Sequence, residues 1–135
     1  MANHEELEGH EEKNFEPISR RVIGCAIEVH RVLGPGLLES SYQSCLSREL
    51  ELCGIEHEIE AGLPITYKGV TLDCGYRVDI LVGRELILEL KSVKKVDPIH
   101  EAQLLTYMKL SGIRLGFILN FNLSKLKDGM KRYVL

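Results

Sequence analysis

Apolar positions recur at helical spacing between Pro17 and Leu33, where Ile18, Val22, Ile23, Ala26, Ile27, Val29 and Leu33 run together with His30. Pro17 suits the first turn of that helix, and Gly34-Pro35-Gly36 is a firm stop. A second helix is expected from about Leu38 to Cys53, with Leu38, Tyr42, Cys45, Leu46, Leu50 and Cys53 on its apolar face and Gly54 closing it. The pattern then changes to period two. Residues 56–61, 64–68, 71–82 and 85–92 read as strands broken at Gly62, Gly69 and Gly83. Pro98 opens a third helix that ends at Ser111 before Gly112, and "RLGFILNF" (114–121) has the length and content of a buried strand. The tail "SKLKDGMKRYVL" adds a short helix or an edge strand.

This order predicts an α+β fold, a sheet with helices packed on its faces. The step from strand 85–92 through helix 98–111 to strand 114–121 is a crossover, so those two strands should be parallel and the connection right-handed. The rest of the sheet should be antiparallel. Strands 76–82 and 85–92 should form a hairpin, and its register can be read from the aliphatics. Val78, Ile80, Val82, Leu86, Leu88 and Leu90 share one face only if paired residue numbers sum to an even value. A two-residue loop at Gly83-Arg84 forbids that sum, whereas a three-residue loop or a bulge gives it. Asp79 then falls near Glu89, with Arg77 and Lys91 on the same face.

Composition changes this picture little. The chain has 135 residues, 44% hydrophobic and 27% charged, which fits one soluble domain with a real core. No apolar run approaches the ~20 residues of a membrane span, and the start lacks the basic and apolar segments of a signal peptide. A cytoplasmic protein without membrane contact is expected. The four cysteines (Cys25, Cys45, Cys53, Cys74) form no CxxC pair, so free and mostly buried thiols are the default. Charge is unevenly spread. Residues 1–14 hold five Glu and one Lys, whereas nine Lys/Arg face three Asp/Glu from Lys91 to the end. An acidic, disordered tail is therefore expected ahead of a domain whose C-terminal third is basic, a distribution compatible with phosphate binding.

The hairpin carries the candidate chemistry. Two adjacent carboxylates raise each other's affinity for a proton or a cation, and two carboxylates plus waters commonly hold Mg²⁺. A neighbouring Lys can position a water or a phosphate oxygen, so the group suits metal-assisted phosphodiester hydrolysis. Cross-strand ion pairs are the alternative: Asp79 with Arg77 or Lys91, and Glu89 with Lys91.

Further stretches bear on that choice. "GLLESSY" (36–42) fits G-x-x-E-x-x-Y at Gly36, Glu39 and Tyr42; "YRVDILVGRELILELKSV" carries D…ExK; "HEAQLLTYMKLSGIRLGFILNFN" carries Q-x-x-x-Y at Gln103 and Tyr107. In this order they resemble the GxxExxY family of the PD-(D/E)XK nuclease-like superfamily, over nearly everything after Phe15. Val78 stands where the superfamily name has Pro, a position that varies widely.

The resemblance implies a restriction-endonuclease-like αβββαβ core over residues 15–135, with one helix added and residues 1–14 outside it. It implies that Asp79, Glu89 and the Leu90 backbone carbonyl bind the metal, Mg²⁺ or alternatively Mn²⁺, with Glu39 touching it directly or through water. Lys91 resembles the catalytic lysine, and Gln103 and Tyr107 the helix that lines the site, with Gln103 fixing substrate or Lys91. Cleavage would leave a 5′-phosphate and a 3′-hydroxyl. Arg77, Lys94, Lys95, Lys109 and Arg114 are candidate contacts to a nucleic-acid backbone, and Tyr107 a further nucleic-acid contact, with DNA ahead of RNA.

Each of these residues also has a structural reading. Glu39 in a first helical turn favours the helix dipole, Gln103 and Tyr107 suit a polar helix edge, and the lysines suit a solvated face. His30, Tyr67 and Tyr76 read as packing residues. The rival function is a catalytically silent module of the same fold that binds a partner protein or nucleic acid, as a monomer or a homodimer.

Overall fold

The computed structural model describes residues 4–135, with side chains from residue 17 onward. The side chains of the acidic stretch 1–14, on which the expectation of a separate tail rests, lie outside the described residues. Helix α1 (His4–Leu33) carries Pro17 inside it rather than in its first turn. Val22, Cys25, Ala26 and Val29 form its buried stripe. Helix α2 (Glu39–Leu52) buries Tyr42, Leu46 and Leu50, one residue per turn. Cys45 and Cys53 lie off that line and are exposed, as is Cys74, so Cys25 alone of the four is buried.

Five strands follow: β1 (Glu58–Gly62), β2 (Ile65–Tyr67), β3 (Val70–Leu72), β4 (Arg77–Val82) and β5 (Leu86–Lys91). The run expected as one strand over 71–82 is broken at 73–76, where the Asp73 carboxylate accepts from the Gly75 N–H at 3.0 Å in an Asx turn. As a result β2 and β3 pair with each other apart from the main sheet. Helix α3 (Pro98–Ser111) starts as its sequence predicts. The Asp97 side chain caps the Ile99 N–H at 3.0 Å, Pro98 takes the first turn, and Gly112 ends the helix at φ +77°. Strand β6 (Leu115–Asn120) is followed by a 3₁₀ turn (Leu126–Gly129) and β7 (Met130–Val134), so the tail supplies both a short helix and an edge strand.

The main sheet has the order β1-β4-β5-β6-β7. β5 and β6 are parallel around α3, and the remaining neighbours are antiparallel. The hairpin pairs Ile80 with Leu88 and Val82 with Leu86, an even register around a three-residue loop. Both faces of the sheet are covered. Ile80, Val82, Leu86, Leu88 and Leu90 pack with Phe117 and Leu119 against α1 and α2. Leu81, Ile87 and Ile118 pack with Leu104 and Met108 of α3. Gly116 lets α3 approach, since a Cβ there would lie 2.8 Å from the Met108 sulfur. Val78 departs from expectation by joining the α3 cluster. The change of face comes at Asp79, where β4 loses its pairing on both sides.

Candidate active site

The hairpin ladder stops at Ile80↔Leu88. One residue further on, side chains replace main-chain partners. The Leu90 N–H donates to Asp79 Oδ2 at 2.7 Å, and the Asp79 N–H donates to Glu89 Oε1 at 3.2 Å. Each carboxylate thus caps the opposite strand in the gap left by the missing ladder bonds. In an extended strand a residue's N–H and C=O point to the same side. The Leu90 carbonyl therefore opens on the same gap as the Asp79 carboxylate.

Cross-strand ion pairs do not form. Among the described residues neither Asp79 nor Glu89 has a cation in ion-pair contact. Arg77 turns instead to Asp73 at 3.8 Å and donates to the Tyr76 carbonyl at 3.1 Å. Both carboxylates are only half-exposed, and Asp79 lines a hollow with Glu39 and Gln43 of α2. Burial and the charge of Asp79 push the Glu89 carboxyl up to about 8, while the Asp79 N–H and Lys91 pull in the other direction. Burial also raises Asp79, offset in part by the Leu90 N–H and Lys91 and reinforced by Glu60 and Glu39. This pair favours gaining a proton or a cation.

Glu39 lies in the first turn of α2, where its Oε2 accepts from the Ser92 N–H at 3.1 Å. The Ser92 hydroxyl donates to the Leu37 carbonyl at 2.6 Å, which fixes the end of β5 to the loop ahead of α2. Tyr42 holds that loop from inside. Its hydroxyl donates to the Gly34 carbonyl and accepts from the Leu37 N–H, and its ring stacks on Phe121 at 4.4 Å. The turn needs Gly36 at φ +99°, a region that favours glycine. The G-x-x-E-x-x-Y spacing is therefore a local device: a glycine turn, the carboxylate it presents, and the tyrosine that anchors it.

On the other face Tyr107 packs against Tyr76 with ring centroids 5.0 Å apart. Burial and then the nearby Glu89 charge raise its hydroxyl above the usual tyrosine range. Gln103, one turn earlier, is exposed. Lys94 and Lys95 line a separate hollow of about 340 Å³ with Glu101, Asp128 and Lys131. Lys109 is exposed in the last turn of α3. Among the described residues no hydrogen bond or ion pair joins these three lysines or Gln103 to the carboxylates. A larger hollow of about 940 Å³ at the hairpin loop holds Ser47 and His57, hydrogen-bonded at 2.7 Å, and none of the expected site residues.

Two residues that the sequence did not single out complete the cleft. Gln43 and Glu60 line it, about 510 Å³ in volume, together with Glu39, Asp79 and Ser92. Gln43 Nε2 donates to Glu60 Oε1 at 2.8 Å and to the Asp79 carbonyl at 2.9 Å. Glu60 has φ +52° within a strand, a conformation that costs a non-glycine residue about 1–2 kcal/mol. Gln43 had a readable sign, because it stands four residues after Glu39 on the same helical face. Glu60 had none.

A family model, the PD-(D/E)XK nuclease superfamily, matches residues 16–133. The chain belongs to the PD-(D/E)XK nuclease superfamily. No curated protein and no solved structure matches it. PD-(D/E)XK nucleases typically use divalent metals, and this chain can be tested for fit. Among the described residues no three His, Cys, Asp or Glu side chains gather closely enough to hold a metal ion by themselves. Asp79, Glu89 and the Leu90 carbonyl form a smaller donor set. Such a set suits a hard divalent cation that keeps several of its waters. The raised proton affinity of both carboxylates, with no cation in ion-pair contact among the described residues, agrees with such a fit.

Proposed function

We propose that the protein is a divalent-metal-dependent nuclease, of the GxxExxY branch, that hydrolyses phosphodiester bonds. The observation that carries this reading is the pair of half-buried carboxylates, Asp79 and Glu89, each bonded to the opposite strand across a broken ladder, with no cation in ion-pair contact among the described residues. Such a pair is expensive as a structural feature, since two like charges are desolvated together. Asp79, Glu89 and the Leu90 carbonyl would hold Mg²⁺ or Mn²⁺, with Glu39 reaching the same cleft. When bound, the cation supplies an acidified water and neutralises charge on the phosphodiester.

The chain's own residues do the rest. Lys91 follows the pair on β5 and acts on both carboxylates electrostatically. Free of an ion pair among the described residues, its ammonium is available to orient the attacking water or a phosphate oxygen. Tyr107, whose hydroxyl feels the Glu89 charge, would line the α3 side of the site. Gln103, exposed one turn away, would meet substrate rather than hold Lys91. Arg77, Lys94, Lys95 and Lys109 would contact the polymer backbone, with DNA the first candidate and RNA the second. The cytoplasm is the proposed compartment; among the described residues no helix is long and apolar enough to cross a membrane.

The test is incubation of purified protein with end-labelled single-stranded DNA, duplex DNA and RNA in Mg²⁺ and in Mn²⁺, beside an identically purified Lys91→Ala variant. Cleavage by the wild type should fall at least ~10²-fold in the variant, the usual scale for a proton-transfer group. Mn²⁺ binding by calorimetry should persist in that variant. Equal cleavage by both proteins would assign the activity to a contaminant. Absence of cleavage together with absence of Mn²⁺ binding would overturn the proposal in favour of a silent binding module.

A further inference from the structure

β4 lies between β1 and β5, yet Asp79 has a ladder partner on neither. Against β5 the pairing stops at Ile80. Against β1 it runs Glu58↔Leu81 and Ile59↔Ile80, then resumes at Ala61↔Val78 and Gly62↔Arg77. The skipped pair is Glu60 with Asp79. Glu60 is also the strand residue held at φ +52°, outside the extended region that pairing requires.

That conformation has a consequence for Asp79. Its N–H and C=O are released from the β1 ladder and meet side chains instead. The N–H goes to Glu89 Oε1 at 3.2 Å, and the C=O accepts from Gln43 Nε2 at 2.9 Å. The second Gln43 amide proton goes to Glu60 Oε1 at 2.8 Å, so one amide holds both the displaced residue and the one it displaced. Gln43 lies one turn after Glu39, whose carboxylate takes the Ser92 N–H. A single face of α2 thereby holds β1, β4 and the end of β5 in fixed relation.

We propose that Gln43 and Glu60 are positioning residues: by keeping Glu60 left-handed and out of the β1 ladder, they leave the Asp79 main chain free for Glu89 and Gln43, and so set the spacing of the two metal-binding carboxylates. The inference rests on the reading of Asp79 and Glu89 as a cation site. It assigns no metal contact to Gln43 or Glu60 themselves.

Three variants test it in the full-length protein. Glu60→Val disfavours positive φ and restores extended backbone. Glu60→Gly also loses the carboxylate but accepts positive φ without strain, so the difference between the two reads backbone conformation. Gln43→Leu removes the amide. Mn²⁺ affinity by calorimetry should fall roughly 10–100-fold in Glu60→Val and Gln43→Leu, the range seen when a supporting residue behind a metal ligand is lost. Glu60→Gly should stay closer to the wild type. In the metal-free proteins, the amide resonances of Asp79 and Leu90 should move in Glu60→Val and Gln43→Leu, and move less in Glu60→Gly.

Unchanged Mn²⁺ affinity and unchanged amide resonances in Glu60→Val and Gln43→Leu would overturn the proposal. Equal losses in both Glu60 variants would also overturn it, because the carboxylate and not the backbone would then be the cause. If the wild type binds no Mn²⁺, the cation reading fails, and the metal-free amide resonances still decide whether the pair positions Asp79.

Discussion

Removing the charge of Glu89 should stabilise the metal-free protein in neutral and alkaline solution. In the folded state burial and Asp79 push the Glu89 carboxyl up to about 8, against an ordinary value of 4.5. Below pH 4.5 the group is protonated in both folded and unfolded chains and has no effect. Between 4.5 and about 8 the folded protein keeps a proton that the unfolded chain has released. Stability then falls as pH rises, by up to about 1.4 kcal/mol per pH unit for one group. Above about 8 both states are ionised and the loss is complete, on the order of a few kcal/mol. Asp79 shifts in the same direction, so the observed midpoint belongs to the pair.

Glu89→Gln removes the ionisation and keeps an oxygen able to accept the Asp79 N–H. Urea unfolding of both proteins from pH 4.5 to 9, with a chelator present, measures the difference and cancels the titration of histidines. The gap between variant and wild type should widen in favour of the variant up to about pH 8 and then level off. Excess Mn²⁺ should narrow or reverse it, since cation binding favours the ionised pair of the wild type and adds stability by mass action. A gap that stays constant across the range would refute the reasoning, because Glu89 would then ionise in the folded protein as it does in water.

Two packing predictions concern the frame around the site. Tyr42→Phe deletes a buried hydroxyl that serves the Gly34 carbonyl and the Leu37 N–H; stability should fall by about 1–3 kcal/mol in urea unfolding, and an unchanged midpoint would show that water replaces the hydroxyl. Gly129→Ala sets a methyl against the Asn120 carbonyl, a main-chain atom that cannot swing aside. A loss of about 1–3 kcal/mol is expected, read as a lowered Tm, whereas a change within experimental error would mean that the 3₁₀ turn shifts freely.

What the sequence discloses depends on whether a feature has a periodic or chemical sign. The hairpin register was legible because Ile80, Val82, Leu86, Leu88 and Leu90 alternate, and only one parity of pairing gathers them on one face. The α3 boundaries were legible because Asp97, Pro98 and Gly112 each have a stereochemical preference for the place they occupy. The broken ladder was not legible. It depends on the backbone of Glu60, and glutamate carries no preference for positive φ that could betray it, as a glycine would. Val78 joins the α3 cluster beside the same break, since alternation is a rule for regularly paired strands and β4 loses its partners at Asp79. Burial of the polar face was also hidden locally, because Asp79, Glu89 and Lys91 read as an exposed edge when the hairpin is taken alone. The crossover supplies the missing step. A helix linking β5 to β6 must lie over the sheet, and α3 does so on the face opposite α1 and α2. Packing on both faces thus leaves an ordinary alternation of charge half-buried, and a half-buried carboxylate pair is the property that marks it as a candidate site.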